Sequence, residues 1–424
     1  MRNYKISLYK GLVGVLIFNF LSLSPSVAFD EETLLELPDG FEVTIFADDL
    51  GFARHVVVRE DGTVYVALRR QKDGKGIVAL KDINNDGVAE IVEYFGELQG
   101  TGIDIHEGYL YFATDTEIVR FKFEDDNLIP NLEMEVVVSG FNAQRQHASK
   151  PFTFDDAGNI YVTVGAPANA CQVEMRTPGS EGMDPCPLLG EGGGIWRFDS
   201  SKLDQDFKTE GYLYSTGIRN AMALDWNHEA NSLYFSTHGR DQLSQLWPEY
   251  FDDIYSSEFP SEEFHIASDG SNHGWPYTYW DHQNKKRLQG PEYGGNGKML
   301  SINKDFKVPL AGLPGHWAPN DLIFYTGDHF PKKYKGGAFI AFHGSWNRAP
   351  LPQAGYKVVF FPFNGPGISG DWEIFVDGFA GKTPFSSPRD ANFRPMGLAE
   401  GPDGKFYITD SVKGRVWRVT YKNP

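Results

Sequence analysis

One pattern recurs along this chain without a fixed period: a short apolar strand, a tight turn often containing Asp-Gly, then a strand rich in aromatic and β-branched residues. Residues 55–67, 152–163 and 396–409 are the strongest copies, and residues 103–113, 223–236 and 321–342 are looser ones, the last with an insertion. Turn chemistry and strand alternation together specify a β-hairpin in each. A lone hairpin leaves apolar faces that only neighbouring units can cover, so repetition of such units implies blades set around a channel. Six units predict an all-β chain, a six-bladed β-propeller in one domain, since no linker divides it. The early strand over 41–47 is expected to pair with the last blade near 414–421, closing the ring and removing an exposed sheet edge. Irregular stretches at 166–192, 240–300 and 364–392 are expected as long loops over one mouth, where function usually sits.

The first 28 residues read as an export signal. Arg2, Lys5 and Lys10 precede an apolar run over 11–21, and Ser26-Val-Ala28 offers small residues for cleavage before Phe29. The propeller domain then occupies 29–424. The apolar run is too short and interrupted for a membrane span, which needs about 18 uninterrupted apolar residues or more, so no stable membrane insertion is expected. The mature product is therefore expected to be periplasmic or secreted, outside the cytoplasm. Loss of the leader removes three positive charges and shifts the formal net charge from -18 to -21. That acidity argues against nucleic acid and anionic membranes as partners. Cys171 and Cys186, the chain's two cysteines, are expected to form a disulfide in an oxidising compartment, free thiols being the alternative. Neither belongs to a Cys-x-x-Cys-His haem motif.

If the first strand of each unit lies nearest the channel, the residues just before these strands converge at one rim. Those residues are Arg54, His147, Arg219-Asn220 and Arg394. Several Arg with one His on an acidic protein call for a carboxylated or polyanionic ligand. Individually, each Arg could instead pair with acidic neighbours, and His147 could be a structural histidine. The segment His343-Gly-Ser-Trp-Asn-Arg348, set between two apolar strands, carries side chains its turn geometry does not require. Trp suits a flat ring and guanidinium pairs a carboxylate bidentately; a loop with Trp on the core and Arg in water is the plainer reading.

Gly217-Ile-Arg-Asn220, His147 ahead of its blade, Asn272-His-Gly-Trp-Pro276, the His343–Arg348 segment and Arg394-Pro-Met-Gly-Leu398 together resemble the soluble quinoprotein sugar dehydrogenases. This is the glucose/sorbosone dehydrogenase family, particularly its sorbosone and pyranose dehydrogenase-like branch. The resemblance implies a six-bladed propeller that binds pyrroloquinoline quinone (PQQ) with calcium beside it. It implies His147 as general base, taking a proton from a sugar hydroxyl while hydride passes to PQQ. Arg54, Arg219, Asn220, Arg348 and Arg394 would hold the quinone, with His343, Trp346 and Asn347 lining the cofactor or substrate side. Glucose-type members carry Gly-Pro in the calcium loop, whereas this chain has His238-Gly-Arg-Asp241; carbonyls of Gly239 and Arg240 would then serve as ligands. The implied substrate is an aldose, a sorbosone-like sugar or a related polyol, and electrons would leave to an external acceptor such as a cytochrome or quinone. A monomer is the default expectation.

Apart from that resemblance, Asp82-Ile-Asn-Asn-Asp-Gly-Val-Ala-Glu-Ile-Val-Glu93 matches the D-x-N-x-D-G-x5-E calcium-loop pattern. Asp82, Asn84, Asp86 and Glu93 are its expected ligands; a solvated Asn-Asp-Gly hairpin is the alternative. Two rival functions stay open on sequence. A calcium-dependent propeller lactonase would want a carboxylate-lined metal at the channel centre, and a noncatalytic sugar- or protein-binding propeller would need no base.

Overall fold

The computed structural model describes residues 27–29, 35–381 and 383–422. The leader expected over residues 1–28 lies outside the described residues except for Val27 and Ala28. Six sheets of four or five strands, antiparallel except for one short parallel pair at the outer edge of each five-stranded sheet, carry the predicted hairpins as their two innermost strands. In blades 1 to 6 the first strands are Ala53–Val58, Ile103–His106, Phe152–Phe154, Ala221–Asn227, Pro319–Phe324 and Pro395–Glu400. All six contribute to the wall of one channel cavity of about 750 Å³. The neighbouring second strands are mostly buried, as a strand covered on both faces requires; Ala338–Phe342 in blade 5 is buried at every residue.

The ring closes as the sequence predicts. Phe41–Ala47 adds to blade 6 beside Val416–Tyr421, with Phe41 opposite Tyr421 and Val43 opposite Val419. Phe41 also crosses toward blade 5, its ring lying 4.8 Å from Phe330, 5.4 Å from Tyr334 and 5.0 Å from Phe375. These rings meet edge-on, the favourable arrangement for aromatic quadrupoles, inside a cluster that joins blades 5 and 6.

Polar stitches run between blades around the channel. Asp225 of blade 4 accepts the Phe324 amide of blade 5 at 2.8 Å, and Asp321 of blade 5 accepts the Leu398 amide of blade 6 at 2.8 Å. Thr409 of blade 6 donates to the Arg54 carbonyl of blade 1 at 2.6 Å, and the His55 ring donates across the channel to the Asn320 carbonyl at 2.8 Å. Burial pushes Asp225 up to about 6 and Asp104 up to about 7. The carboxylates in the channel therefore sit as acceptors for backbone amides, which satisfies groups the inner strands would otherwise leave unpaired.

One expectation needs correction. Within 364–392, Glu373–Val376 is the outer strand of blade 5. Residues 240–300 are not all loop either: Glu262–Ala267 is the third strand of blade 4, and Thr278–Asp281 pairs with Lys286–Gln289 in a separate hairpin. Glu262, Glu263 and His265 hide that strand from hydropathy because they are buried with polar partners. The Cys171–Cys186 disulfide forms as expected, with a Cα–Cα distance of 6.2 Å.

Closure through Phe41 has a measurable weight. Phe41→Ala should cost about 3–5 kcal/mol in denaturant unfolding, the range for truncating a buried phenylalanine. A loss under about 1 kcal/mol would mean that the ring seam does not depend on this contact.

Candidate active site

The first and second strands of a hairpin run in opposite directions, so the start of one and the end of the other meet at the same rim. His147, Arg219 and Arg394 precede first strands, while His238 and His343 follow second strands. At this rim lies a cavity of about 330 Å³ whose wall includes His147, Arg219, His343, Trp346, Asn347 and Arg394. Gly239 reaches the same wall. Arg54, Asn220, Arg240 and Arg348 do not line it.

His147 is held in a sparsely populated backbone conformation, with φ at 53°. The Gln144 side-chain amide brackets it, donating to the carbonyls of Gln146 at 2.8 Å, His147 at 2.9 Å and Gly165 at 2.9 Å. The ring's Nδ1 lies 2.7 Å from the Ala166 carbonyl. A carbonyl only accepts, so Nδ1 carries the proton and the neutral ring keeps its lone pair on Nε2. Burial, reinforced by the Arg219 charge, pulls His147 down to about 3. The imidazole is thus neutral, fixed in tautomer and supplied with a basic nitrogen that no described residue bonds.

The arginines divide into paired and unpaired. Arg219 is consumed: it bonds Asp241 at 2.7 Å, the Gly239 carbonyl at 2.9 Å and Asn169 Oδ1 at 3.0 Å. Arg348 turns away to Glu258 at 2.7 Å and the Gly315 carbonyl at 3.0 Å, which fixes its loop. Arg240 forms a buried ion pair with Glu292. Arg394 bonds the His343 carbonyl at 3.0 Å and the Gly344 carbonyl, and neither contact neutralises it. Arg54 has a buried Nε without any partner. Burial, and next the charges of Arg69 and Arg394, bring Arg54 down to about 9. Arg394 in the wall and Arg54 behind it therefore place two guanidinium groups side by side, and Asp115 and Asp410 offset their charge only in part. That arrangement is unfavourable alone and is relieved by a bound anion.

Asn220 supports the wall from behind, its side-chain amide 3.3 Å from His238 Nδ1. His343 Nε2 meets the Ser411 hydroxyl at 2.7 Å. Trp346 is 55% exposed and lies under the Arg389 guanidinium at 5.1 Å, leaving much of its indole for a ligand. Gly344, with φ at 74°, admits no side chain, since a Cβ would fall 2.2 Å from the Tyr356 ring.

Sequence reasoning missed two acids that line the cavity. Asp241 bonds Arg219 and also accepts from Asn347 Nδ2 at 2.8 Å. Glu262 accepts the Gly239 and Ala318 amides at 2.9 and 3.0 Å, and burial pushes it up to about 8. The Gly239 carbonyl, expected as a calcium ligand, accepts from Arg219, and Asp241 and Glu262 add carboxylate oxygens to the same wall. Asp241 stands in the quoted His238-Gly-Arg-Asp241 stretch and was legible there as an acid beside the expected loop. The loop that matches the calcium pattern lies elsewhere: Asp82 and Asp86 approach Glu90 rather than Glu93. Glu93 sits in the strand Ile91–Phe95 opposite Ala79.

The chain has relatives along its full length. A protein of Borreliella burgdorferi is 24% identical over all of both chains. A pyrroloquinoline quinone-dependent pyranose dehydrogenase of Coprinopsis cinerea is 27% identical over 91% of this chain, which spans 54% of that longer protein. The PQQ domain of the Coprinopsis pyranose dehydrogenase, solved in its holo form, superposes with a TM-score of 0.71 at 18% identity, covering 91% of this chain and 97% of that domain. A Trichoderma reesei enzyme of carbohydrate-active family AA12, described as a calcium structure, superposes with a TM-score of 0.74 at 18% identity, over 91% of this chain and 96% of its own. At such identities the superpositions establish the shared fold. The TrAA12-like family model matches residues 35–422, and the chain belongs to that family.

Proposed function

We propose that this protein is a PQQ-dependent sugar dehydrogenase, oxidising an aldose, a sorbosone-like sugar or a related polyol and passing electrons to an external acceptor. The observation that carries this reading is the joining, in one pocket, of an oriented neutral His147 with the Arg394 guanidinium, with the Arg54 charge close behind the wall beside His343. PQQ is a flat tricarboxylate, and its charge answers the unpaired arginines; the exposed indole of Trp346 offers a planar ring a stacking face. Asp241 and Glu262 are the residues that would hold calcium. When bound, PQQ supplies a hydride acceptor and calcium a Lewis acid beside it.

The chain's own residues account for the proton. His147 Nε2 accepts the proton of the sugar hydroxyl whose carbon is oxidised, and the Ala166 carbonyl holds the ring through Nδ1–H. The resulting imidazolium is disfavoured by Arg219 and favoured by the Asp241 charge. Carboxylates brought in by the cofactor act in the same direction as Asp241, raising the base toward the working pH, where proton transfer is most effective. Export to the periplasm or beyond, with residues 1–28 as the cleaved leader, belongs to the same proposal and agrees with the Cys171–Cys186 disulfide.

Reconstitution tests the class. Protein prepared without PQQ should reduce an artificial dye in a sugar-dependent way only after PQQ and calcium are added, and His147→Ala should lower kcat about 10²–10⁴-fold. No PQQ binding would overturn the proposal.

Arg54 gives a separable test. Arg54→Met should leave thermal stability unchanged or raised, since it removes buried like-charge repulsion, while weakening PQQ about 10- to 100-fold in a fluorescence-quenching titration. Unchanged affinity would remove Arg54 from the cofactor's partners.

The base can be watched directly. In the cofactor-free protein, nitrogen NMR should show His147 as the neutral Nδ1–H tautomer from pH 8 to about pH 5, because burial and Arg219 hold it down to about 3. Because the folded value lies below the ordinary one near 6.5, protonation favours the unfolded chain, and this residue lowers stability as pH falls from about 6.5 toward about 3. An imidazolium titrating near pH 6.5 would contradict the described geometry.

A further inference from the structure

The acidic loop in blade 1, between Lys75–Lys81 and Ile91–Phe95, stands apart from the cofactor pocket. Asp82, Asp86 and Glu90 each offer a carboxylate oxygen within 4.8 Å of the others. Clustering of acids is common on surfaces, but Asp82 is not a surface group. Its side chain is 7% exposed. One oxygen, Oδ2, accepts from Gly87 N at 2.9 Å and from Arg418 at 2.9 Å, whereas Oδ1 is fully buried without any partner. A buried carboxylate oxygen left unpaired is costly, and such an atom calls for a ligand.

The remaining geometry says which ligand. Counting from Asp82, the oxygen-bearing residues fall at positions one, three, five and nine: Asp82, Asn84, Asp86 and Glu90. These are side-chain positions of calcium loops, with the glycine at position six making the turn. Gly87 has φ at 101°, and a Cβ there would meet the Arg418 guanidinium at 2.2 Å. Asn84 now directs its Nδ2 at Asp86, 3.1 Å away, and at Glu90. Its Oδ1 accepts the Asp86 amide at 2.8 Å and keeps a second lone pair for an ion. Three carboxylates against one guanidinium leave two negative charges, and all donors are oxygen, which selects a hard divalent cation.

We infer that this loop is a structural calcium site formed by Asp82, Asn84, Asp86 and Glu90, and that the bound ion staples blade 1 to the strands that close the ring. The loop already reaches both closing strands: Ala89 N donates to the Phe46 carbonyl at 2.8 Å, Thr44 Oγ1 donates to the Gly87 carbonyl at 3.2 Å, and Arg418 pairs with Asp82. An ion here rigidifies the seam on the far side of blade 6 from its Asp321 stitch. Neither PQQ nor turnover enters the argument, so this site stands or falls separately from the dehydrogenase reading.

The test uses the full chain, stripped with EDTA, without PQQ. Calcium titration by calorimetry should give one more equivalent per chain for the wild type than for the exposed-site double variant Asp86→Asn/Glu90→Gln, and calcium should raise the Tm of the wild type but less that of the variant. Glu90→Lys is the second variant: its ammonium supplies the missing positive charge, so it should match the calcium-loaded wild type more closely in EDTA while losing the extra equivalent. Equal stoichiometry and equal Tm shifts in wild type and double variant would overturn the site, whatever the cofactor experiments show.

Discussion

Closure of the ring by Phe41–Ala47 is the constraint on which the rest depends. The strand comes from the beginning of the described chain and pairs with Val416–Tyr421 near its end, so the sixth sheet cannot form until almost everything between them is placed. In exchange for the entropy of bringing distant segments together, the pairing removes two open sheet edges. Phe41 converts that pairing into packing by meeting the aromatic cluster of blade 5, while Thr409 carries a hydrogen bond from blade 6 to the Arg54 carbonyl. The contact that completes the ring therefore also fixes the backbone of a residue at the pocket. Stability and site geometry share one seam.

A closed ring can then tolerate a site that would be unfavourable elsewhere. His147 has a left-handed backbone, Arg54 lacks a partner at Nε, and Arg394 faces only carbonyls. Each costs free energy, and each is held by scaffold groups outside the chemistry: Gln144 clamps three carbonyls around the base, and Asp241 gathers Arg219 and Asn347. Strain and unpaired charge gathered around one cavity mark the place where a ligand completes the electrostatics. The Asp residues of the channel show the contrast. They are buried as well, yet Asp225 and Asp321 accept backbone amides of the next blade, and burial pushes both toward the neutral form, which needs no counter-ion.

The blades were legible in the sequence because a hairpin is a local object: turn residues and alternation lie within about a dozen positions. All six expected units became inner hairpins, and the closing strand followed from the edge-strand argument. The rim residues were legible for a related reason, since a repeat fixes where each first strand begins. What the sequence could not show was pairing across distance. Arg348 stands in the same short segment as Trp346, and only the fold reveals that Glu258 takes its guanidinium. Arg219 looked like a free clamp until Asp241 was seen beside it. Glu262 was hidden because a buried acid reads as a solvated one in hydropathy, and the strand it belongs to was lost with it.

The loop after Lys75–Lys81 shows the same limit at short range. The twelve-residue calcium pattern places its last carboxylate at Glu93 because, between helices, the chain turns back at that point. Here the flanks are strands. Glu93 is drawn into the ladder opposite Ala79, and a strand rises too steeply to bring that residue back to Asp82. Glu90, still in the loop, occupies the near position instead. The identity of a metal ligand thus depends on the secondary structure that follows the motif as much as on the motif itself. In blade 1 that dependence turns a helix-loop pattern into a clamp between strands, placed where the ring has its seam.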